Sequence, residues 1–534
     1  MSSRTTTAGL CIRSDTDSAS VTEPVYPSRE PARQFANRGD MRTCGRSSTA
    51  PSAAMHDMDI DEFRRAAHQT VDWMAAYLGS LGDRPVLPRV APGALRGSLP
   101  PAPPESHEDF DAVLTDVDRL LIPASTHWQA PGFMAYFAST ASAPGILGEM
   151  LAATLNANAM LWRTSPAATE LEQVAVDWLR QLLGLPDGLF GLINDTASTS
   201  TLCALAAARQ AQSDLRIREH GMTGRDLPRL RYYTSSEAHS SVEKAGIVLG
   251  FGQEGCRRIP VDNAFRMDVT ALRAAIETDI AAGHRPVAVV ATVGTTSSTS
   301  VDPVATIAAV CAQHRLWLHV DAAYAGSAAL VPELRWVLDG AELADSVVVN
   351  PHKWLFTPVD CSVLWTRQPD VLRDAFSIVP EYLTSAQDAD PAAPSFMDYG
   401  VALGRRFRAL KLWMVMRHFG ADGLAAALRE HRAFAATLAT RVDECEDFEL
   451  MAPVPLSVVC LRAHPPGIDD ESHLDALNAR VLEAVNARGR FFLSHTRLRG
   501  RYVIRVAFGS LRATHEHLDG VWDELRAALL AETS

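Results

Sequence analysis

Lys353 stands in a setting that favours reaction with an aldehyde over solvation at the surface. It closes the tetrapeptide Asn350-Pro-His-Lys353, which directly follows the apolar run Ser346-Val-Val-Val349, and apolar residues 354 to 356 come after it. Most lysines are solvated surface charges. Apolar surroundings disfavour the ammonium form, and the neutral amine is the form that condenses with an aldehyde. The tetrapeptide therefore indicates a Schiff-base lysine, with an ordinary lysine as an equal alternative for this motif alone.

Asp321 ends a second apolar run, Leu318-His-Val-Asp321. A carboxylate at the end of a buried strand needs a partner. A protonated pyridinium nitrogen is one such partner, and its charge makes an aromatic cofactor an electron sink. Ala323 points to the same side of an extended chain and is small enough for a flat ring to lie over it. The alternative is that Asp321 caps the next helix.

Three further turns place polar side chains after apolar runs. Asp195-Thr-Ala-Ser-Thr-Ser-Thr201 leads into a helix, where hydroxyls and free N–H groups form a phosphate cradle or a simple helix cap. His239, in Ser235-Ser-Glu-Ala-His239, can stack on a planar ring and move protons, or be structural. Thr295, in Thr292-Val-Gly-Thr295, supplies another hydroxyl.

All five pieces lie just beyond apolar runs that alternate with helical stretches between residues 183 and 353. This alternation is typical of an α/β domain with a mainly parallel, buried sheet. Open sheets of this kind bind ligands at the carboxyl ends of their strands, so we expect the five pieces to meet there. Together they supply a Schiff-base amine, a pyridinium partner, a ring stacker and a phosphate cradle. This set predicts a pyridoxal 5'-phosphate (PLP) site.

The hydrophobic pattern divides the chain into four segments. Residues 1–55 are rich in Ser, Thr, Arg and Pro and lack a hydrophobic period, so we expect a disordered tail or upstream sequence from a mistaken start, with Met41, Met55 and Met58 as possible starts. We expect an N-terminal helical segment at 56–135 and a large α/β domain at 136–401. A small α+β domain follows at 402–534, where a turn near Arg499-Gly500 joins the runs 489–494 and 501–507 as a hairpin.

Composition limits the classes of partner. The formal net charge of -13 argues against nucleic acid or an anionic membrane. No apolar run approaches the length of a membrane span. The 8 cysteines include no C-x-x-C pair, which argues against a zinc site or a redox dithiol. We therefore expect a cytoplasmic protein without a metal.

The sequence resembles the group II PLP-dependent decarboxylases, in the aromatic-L-amino-acid decarboxylase branch, over about residues 58–530. The stretches that carry the resemblance are Phe133-Met-Ala-Tyr-Phe137, Ser165-Pro-Ala-Ala-Thr-Glu-Leu-Glu172, Ala238-His-Ser-Ser-Val-Glu-Lys-Ala245, His319-Val-Asp-Ala-Ala-Tyr-Ala325, Asn350-Pro-His-Lys-Trp354 and Leu403-Gly-Arg-Arg-Phe-Arg-Ala-Leu-Lys411. The resemblance implies PLP fold type I, the aspartate aminotransferase-like fold, and a homodimer with its active sites at the subunit interface.

The resemblance also implies roles for individual residues. Lys353 matches the lysine that holds PLP, Asp321 the partner of the pyridine nitrogen, His239 the ring-stacking residue and Ala323 the residue beneath the ring. The remaining cofactor-binding positions are the phosphate-binding residues Thr196, Ala197 and Ser198, helped by Asn350 and His352, and Thr295 near the cofactor.

Tyr382, in Pro380-Glu-Tyr-Leu383, matches the tyrosine of a mobile loop that reaches the neighbouring subunit's active site. The resemblance implies that this tyrosine protonates the substrate Cα after CO2 leaves, with support from His239. In related aldehyde synthases a Phe at this position leaves the reaction open to oxygen. Tyr382 therefore favours simple decarboxylation to the amine.

The predicted substrate pocket combines typical and atypical residues. By resemblance it consists of Trp128, Tyr136, Phe137, Asn158, Met160 and Gly404. The first three fit an aromatic wall, whereas Asn158 and Met160 occupy positions that are more often apolar or aromatic. Gly404, where some tyrosine-preferring plant relatives carry Ser, leaves room for an indole and favours tryptophan over tyrosine, DOPA or phenylalanine. Asp195 also departs from the family, since many relatives carry Gly in this phosphate turn.

Four alternatives to an amine-forming aromatic decarboxylase stay open. An aromatic aldehyde synthase differs at the Tyr382 position. A decarboxylase of an acidic amino acid would need a basic pocket, and an aminotransferase would need an arginine for the substrate carboxylate. A non-catalytic, PLP-binding regulatory protein would not need Lys353, His239 and Tyr382 together.

Overall fold

The computed structural model describes residues 57–378, 390 and 392–534. The tail predicted for residues 1–55 and the loop residue Tyr382 lie outside the described residues. Residues 61–534 form one unit by their internal contacts, and the further division of this stretch into three segments stays a prediction.

A seven-stranded sheet forms the centre of this unit, in the order β1-β7-β6-β5-β4-β2-β3. Its strands are β1 (Phe190–Asn194), β2 (Leu230–Ser235), β3 (Cys256–Ile259), β4 (Arg285–Thr292), β5 (Trp317–Asp321), β6 (Ser346–Val349) and β7 (Ser362–Thr366). Strand β7 runs antiparallel to both of its neighbours, and the other strands are parallel to one another. The predicted α/β fold with a mainly parallel sheet is confirmed.

The central strands are apolar because both faces of the sheet are covered. Every residue of β2, β5 and β6 is buried, as is all of β4 except its first residue. Helices pack on these faces, as is usual for parallel sheets. The helices are α1 (Ile60–Gly79), α2 (Ala94–Ser98), α3 (Phe110–Asp116), α4 (Ala143–Leu155), α5 (Pro166–Leu183), α6 (Ala197–Gln210), α7 (Ile217–His220), α8 (Ser240–Val248), α9 (Val269–Ala281), α10 (Val304–His314), α11 (Pro351–Trp354), α12 (Pro369–Phe376), α13 (Arg408–Asp443), α14 (Glu471–Arg488) and α15 (His515–Thr533).

A second, antiparallel sheet of four strands lies near the C-terminus, in the order β10-β11-β9-β8. Its strands are β8 (Phe448–Leu450), β9 (Val458–Ala463), β10 (Ser494–Leu498) and β11 (Arg501–Ala507). Strands β10 and β11 form a hairpin at the predicted turn, with Leu498 opposite Arg501, but its first strand is Ser494–Leu498 and not the predicted run 489–494. The two turn residues, Arg499 and Gly500, both have positive φ (51° and 83°), as a type I′ turn requires.

The described part of the chain contains no helix long and apolar enough to span a bilayer.

Candidate active site

Five parallel strands of the large sheet end at one cavity. The turns after β1, β2, β4, β5 and β6 all contribute to its wall. The cavity brings together the predicted cofactor residues apart from Thr295. Its lining residues are Phe137, Thr196, Ala197, Ser198, His239, Ser241, Thr292, Gly294, Thr296, Asp321, Ala323, Tyr324, Asn350, His352 and Lys353.

Lys353 lies in the short helix α11, directly after β6, and its side chain keeps some accessible surface in the cavity. Burial lowers the pKa of its amine; Asp321 opposes this shift and the Arg505 guanidinium adds to it. The amine nitrogen lies 5.4 Å from the centroid of the Phe137 ring. These surroundings favour the neutral amine, the form that attacks a carbonyl carbon.

Asp321 is the last residue of β5 and is buried at the cavity wall. One of its carboxylate oxygens accepts a hydrogen bond from the backbone N–H of Ala323 at 3.2 Å. This bond shapes the turn so that the Ala323 methyl group lines the cavity next to the carboxylate. The arrangement offers a flat, cationic heteroaromatic ring an acid for its nitrogen and a small side chain for its face.

The turn after β1 presents the first N–H groups of helix α6 to the cavity. Thr196 is the N-cap of this helix, and Ala197 and Ser198 form its first turn. Asp195 Oδ1 accepts the Thr196 N–H at 2.6 Å, which removes one donor from the cradle. The Asp195 carboxylate also interacts electrostatically with Arg408. Burial lowers the pKa of this guanidinium, but its hydrogen-bonded partner Asp360, with a smaller contribution from Asp195, raises the pKa overall. A helix N-terminus of this kind suits a phosphate group.

His239 lies at the exposed mouth of the cavity and caps helix α8. Its Nδ1 accepts the backbone N–H of Ser241 at 3.2 Å. Nδ1 is therefore unprotonated in a neutral ring, and Nε2 carries the proton. Burial lowers the pKa of this imidazole, Lys353 lowers it further, and Asp321 opposes the shift. A neutral imidazole can stack on a ring and donate or exchange the Nε2 proton.

The donor set of the cavity fits PLP. Within the described residues, Asn350 Oδ1 and Thr292 Oγ1 are buried polar atoms without a hydrogen-bond partner, and both residues line the cavity. Unpaired buried polar atoms of this kind mark a place for a polar ligand. With the amine, the carboxylate, the imidazole and the helix N-terminus, they match the aldehyde, ring nitrogen, ring face and phosphate of PLP.

Two predicted cofactor residues use their polar atoms mainly within the protein. His352 Nδ1 accepts the Cys361 N–H at 3.0 Å, and burial lowers the pKa of this imidazole to about 4. The Thr295 hydroxyl bonds to Ser298 and to the Ser300 N–H, while the neighbouring Thr296 lines the cavity. Sequence reasoning placed the cofactor contact at Thr295 and did not identify Thr296.

Phe137 and Tyr324 form part of the cavity wall by stacking on each other, a contact that strand patterns do not predict. Their rings stack with centroids 3.7 Å apart, and the Arg505 guanidinium lies 4.7 Å from the Phe137 centroid. Sequence reasoning assigned Phe137 to the substrate pocket and gave Tyr324 and Arg505 no role. A small residue directly after a strand can be recognised from the local sequence. This stack brings together Phe137, Tyr324 and Arg505, which are far apart in the chain.

The predicted substrate residues fall into two groups. Trp128 and Tyr136 are exposed and stack with centroids 6.0 Å apart. Asn158 Nδ2 lies 3.5 Å from the Met160 sulfur, and 3.9 Å from a Cβ built on Gly404. Among the six predicted substrate residues, Phe137 lines the described cavity around Lys353.

Comparison with known proteins gives consistent matches over most of the chain. Residues 92–464 match the family described as "Pyridoxal-dependent decarboxylase conserved domain". Tyrosine decarboxylase 3 of Petroselinum crispum is 39% identical over 489 residues, covering 90% of this chain and 94% of that protein. Phenylacetaldehyde synthase of Arabidopsis thaliana is 40% identical over 473 residues, covering 87% and 95%. The crystal structure of Oryza sativa TDC with PLP and tryptamine superposes with a TM-score of 0.87 at 36% identity, covering 90% and 100%.

Proposed function

Because the chain belongs to the pyridoxal-dependent decarboxylases, in their aromatic amino acid branch, we propose that it converts an aromatic L-amino acid, tryptophan foremost, to the corresponding amine and CO2. It is a PLP-dependent carboxy-lyase. The observation that carries the proposal is the single cavity that holds the Lys353 amine, the Asp321 carboxylate, the His239 imidazole and the N-terminus of α6.

Bound PLP supplies an electron sink for the electron pair that the departing carboxylate leaves at Cα. Lys353 would present its amine to the cofactor aldehyde. Asp321 would hold a proton on the ring nitrogen and so stabilise negative charge that develops as the carbon–carbon bond breaks. The first turn of α6 would hold the phosphate, and the methyl group of Ala323 would support the ring. His239 would pack on the ring and keep a proton at Nε2.

Tyr382 decides between amine and aldehyde in this proposal, by donating a proton to the substrate Cα once CO2 has left. Tyr382→Phe should shift the product from amine toward aldehyde, with consumption of oxygen and water and release of ammonia and hydrogen peroxide. Product analysis by chromatography, with an oxygen electrode in parallel, measures both. Wild-type protein is the control, and an unchanged amine yield in Tyr382→Phe would contradict the assignment.

The preference for tryptophan is supported by the space beside Gly404. Asn158 Nδ2, at 3.9 Å, is the one neighbouring atom within 4 Å of a Cβ built at this glycine, within the described residues. The exposed rings of Trp128 and Tyr136 offer an aromatic surface to a planar side chain. Relatives named for tyrosine and a neighbour bound to tryptamine are both compatible with such a pocket.

The proposal includes a homodimer. Helix α4 exposes Leu147, Leu151 and Leu155 on one face, at a spacing of four residues. Such a continuous exposed apolar face is typical of protein interfaces. A second copy of the chain is the occupant that we propose for this face.

One substrate panel tests the function. Purified protein with PLP is incubated with tryptophan, tyrosine, DOPA, phenylalanine and glutamate, and both CO2 and amine are measured. We expect equal amounts of CO2 and amine, with the highest kcat/KM for tryptophan. CO2 release from glutamate alone would favour the acidic-substrate alternative, and absence of CO2 from all five would favour a non-catalytic protein.

A further inference from the structure

Three buried aromatic rings stack beside the cavity, and we call them the ring column: Phe137, Tyr324 and Trp354. The first two centroids are 3.7 Å apart with an interplanar angle of 18°, and the last two are 4.8 Å apart at 8°. Trp354 follows Lys353 directly in the chain, while the Lys353 amine lies 5.4 Å from the Phe137 ring. The lysine is therefore tied to one end of the column and packs against the other.

Each ring of the column contacts a residue from the C-terminal part of the chain. The indole N–H of Trp354 donates to His431 Nδ1 at 3.0 Å. The Tyr324 hydroxyl bonds to the Ser457 hydroxyl. The Arg505 guanidinium lies 4.7 Å from the Phe137 centroid. The column is thus fixed by residues from α13, the loop before β9, and β11.

His431 has a fully determined protonation state. Its Nδ1 accepts from Trp354, so the proton must be on Nε2, which donates to the Ser510 carbonyl at 3.1 Å. The ring is buried and packs edge-on against Phe356, and burial lowers its pKa to about 4. The imidazole therefore bridges the indole of Trp354 and the backbone of the C-terminal region in its neutral form.

We propose that His431 is a positioning residue that sets the place of the Lys353 amine through Trp354 and the ring column. Without an acceptor, the buried indole N–H would be unpaired, and Trp354 would tilt or shift to reach one. The column transmits such a shift, because its rings are in direct contact. A displacement of about 1 Å at a reacting atom can slow a reaction about 100-fold. The inference rests on the proposed function only for its kinetic readout.

Two substitutions at His431 and one at a matched position test this. His431→Leu removes the acceptor, and His431→Gln keeps an acceptor and a donor. His418→Leu is the control, since His418 is an exposed histidine of α13, on the other side of the non-helical residue Gly420 from His431. For each holoenzyme we would record the absorbance spectrum of bound PLP, the affinity for PLP, the rate of borohydride reduction at Lys353, and kcat and KM.

We expect His431→Leu to change the absorbance spectrum and lower the borohydride reduction rate and kcat about tenfold, with KM and PLP affinity within about threefold of wild type. KM and the affinity for PLP should change little in His431→Leu because this substitution does not alter the phosphate turn or Asp321. His431→Gln should recover most of the loss, and His418→Leu should match wild type. A wild-type spectrum and kcat in His431→Leu would overturn the proposal, as would equal defects in the Gln and Leu variants.

Trp354→Phe tests the same hydrogen bond from its other end if His431→Leu folds poorly. It keeps a ring in the column but removes the indole N–H together with part of the indole. If His431 acts through this N–H, Trp354→Phe should change the spectrum and lower kcat as His431→Leu does, and adding His431→Leu should change them no further, because the bond is already lost. Multiplicative effects of the two changes would refute the relay. The spectrum and borohydride readouts need no substrate, so a failure of the proposed amine-forming activity would leave this test intact.

Discussion

Arg405 and Arg406 are adjacent arginines that each bind a glutamate at 2.6 Å, and they differ in burial. The Arg405–Glu172 pair is buried, with side chains 7% and 2% exposed, whereas the Arg406–Glu149 pair has side chains 58% and 24% exposed. Removing one partner of a buried pair leaves an uncompensated charge. We therefore expect Arg405→Met to lower the free energy of unfolding by about 3–5 kcal/mol, and Arg406→Met by about 0–1 kcal/mol.

The larger loss of stability expected for Arg405→Met follows from the few hydrogen-bond partners that the buried Glu172 carboxylate would retain. Its Oε1 also accepts the Ile193 N–H at 2.8 Å, and Arg405 Nη2 also donates to the Ile193 carbonyl at 2.8 Å. Without the guanidinium, the carboxylate would be buried with a single backbone donor, and the Ile193 carbonyl would lose this donor. Because Ile193 lies in β1, just before the phosphate turn, the affinity for PLP should fall as well.

Urea unfolding of the holoenzyme, followed by circular dichroism at a fixed excess of PLP, measures both variants. The urea midpoints of the two variants can be compared directly if their unfolding transitions have the same slope against urea concentration. The double variant Glu172→Gln/Arg405→Met should recover part of the loss, because it removes both charges. Losses for Arg405→Met and Arg406→Met that agree within about 0.5 kcal/mol would refute the burial argument.

Two further predictions concern carboxylates near the cavity. Burial raises the pKa of Asp302 to about 6, although its oxygens accept the N–H groups of Thr292 and Met267. The folded state therefore holds this proton longer than the unfolded state, and stability is lost as pH rises from about 4 to 6. The stability of Asp302→Asn relative to wild type should rise by up to about 3 kcal/mol over that range in urea titrations; a difference independent of pH would contradict this. Asp195→Gly should bind PLP about fivefold more tightly in fluorescence titrations, since it frees the Thr196 N–H and removes a negative charge from the phosphate turn. Weaker binding would show that Asp195 supports the turn.

The strands that position the cofactor residues could be predicted because buried parallel strands have a simple sequence pattern. The run Ser346-Val-Val-Val349 matches β6 residue for residue, and Asp321 is the last residue of β5 as expected. Once the strands are located, the ligand edge of the sheet follows from their direction. The predicted meeting of Lys353, Asp321 and the Thr196 turn at one cavity rests on these local patterns alone.

The C-terminal hairpin shows where local patterns fail. The turn at Arg499-Gly500 is correct, but the strand predicted at 489–494 is wrong. Gly489 ends α14 with a positive φ of 86°, and β10 begins at Ser494. Phe491 and Leu493 are buried and Phe492 is partly buried, and Phe492 pairs with Phe133 in an isolated bridge. Strand β10 carries polar, partly exposed residues, so hydrophobicity pointed to the wrong segment.

The ring column and its anchors could not be predicted because they are long-range contacts between side chains. Nothing in the sequence near Trp354 indicates His431 as the partner of its indole N–H. Thr296, which sequence reasoning did not identify, is a similar case. A shift of one residue in a turn exchanges a cavity-facing hydroxyl for one that bonds within the turn, as the Thr295 hydroxyl does.

The residues that anchor the ring column come late in the chain, so the site cannot be complete until they have been synthesised. Chains are made from the N-terminus, and domains generally fold as units during synthesis. A ribosome completes Lys353 and its apolar neighbours before it reaches His431, Ser457 and Arg505, which hold the three rings. The lysine would therefore lack its final placement until strand β11 has emerged. Attachment of the cofactor in its reactive geometry would then report that the chain has been made through β11, so that products truncated before this strand stay chemically silent.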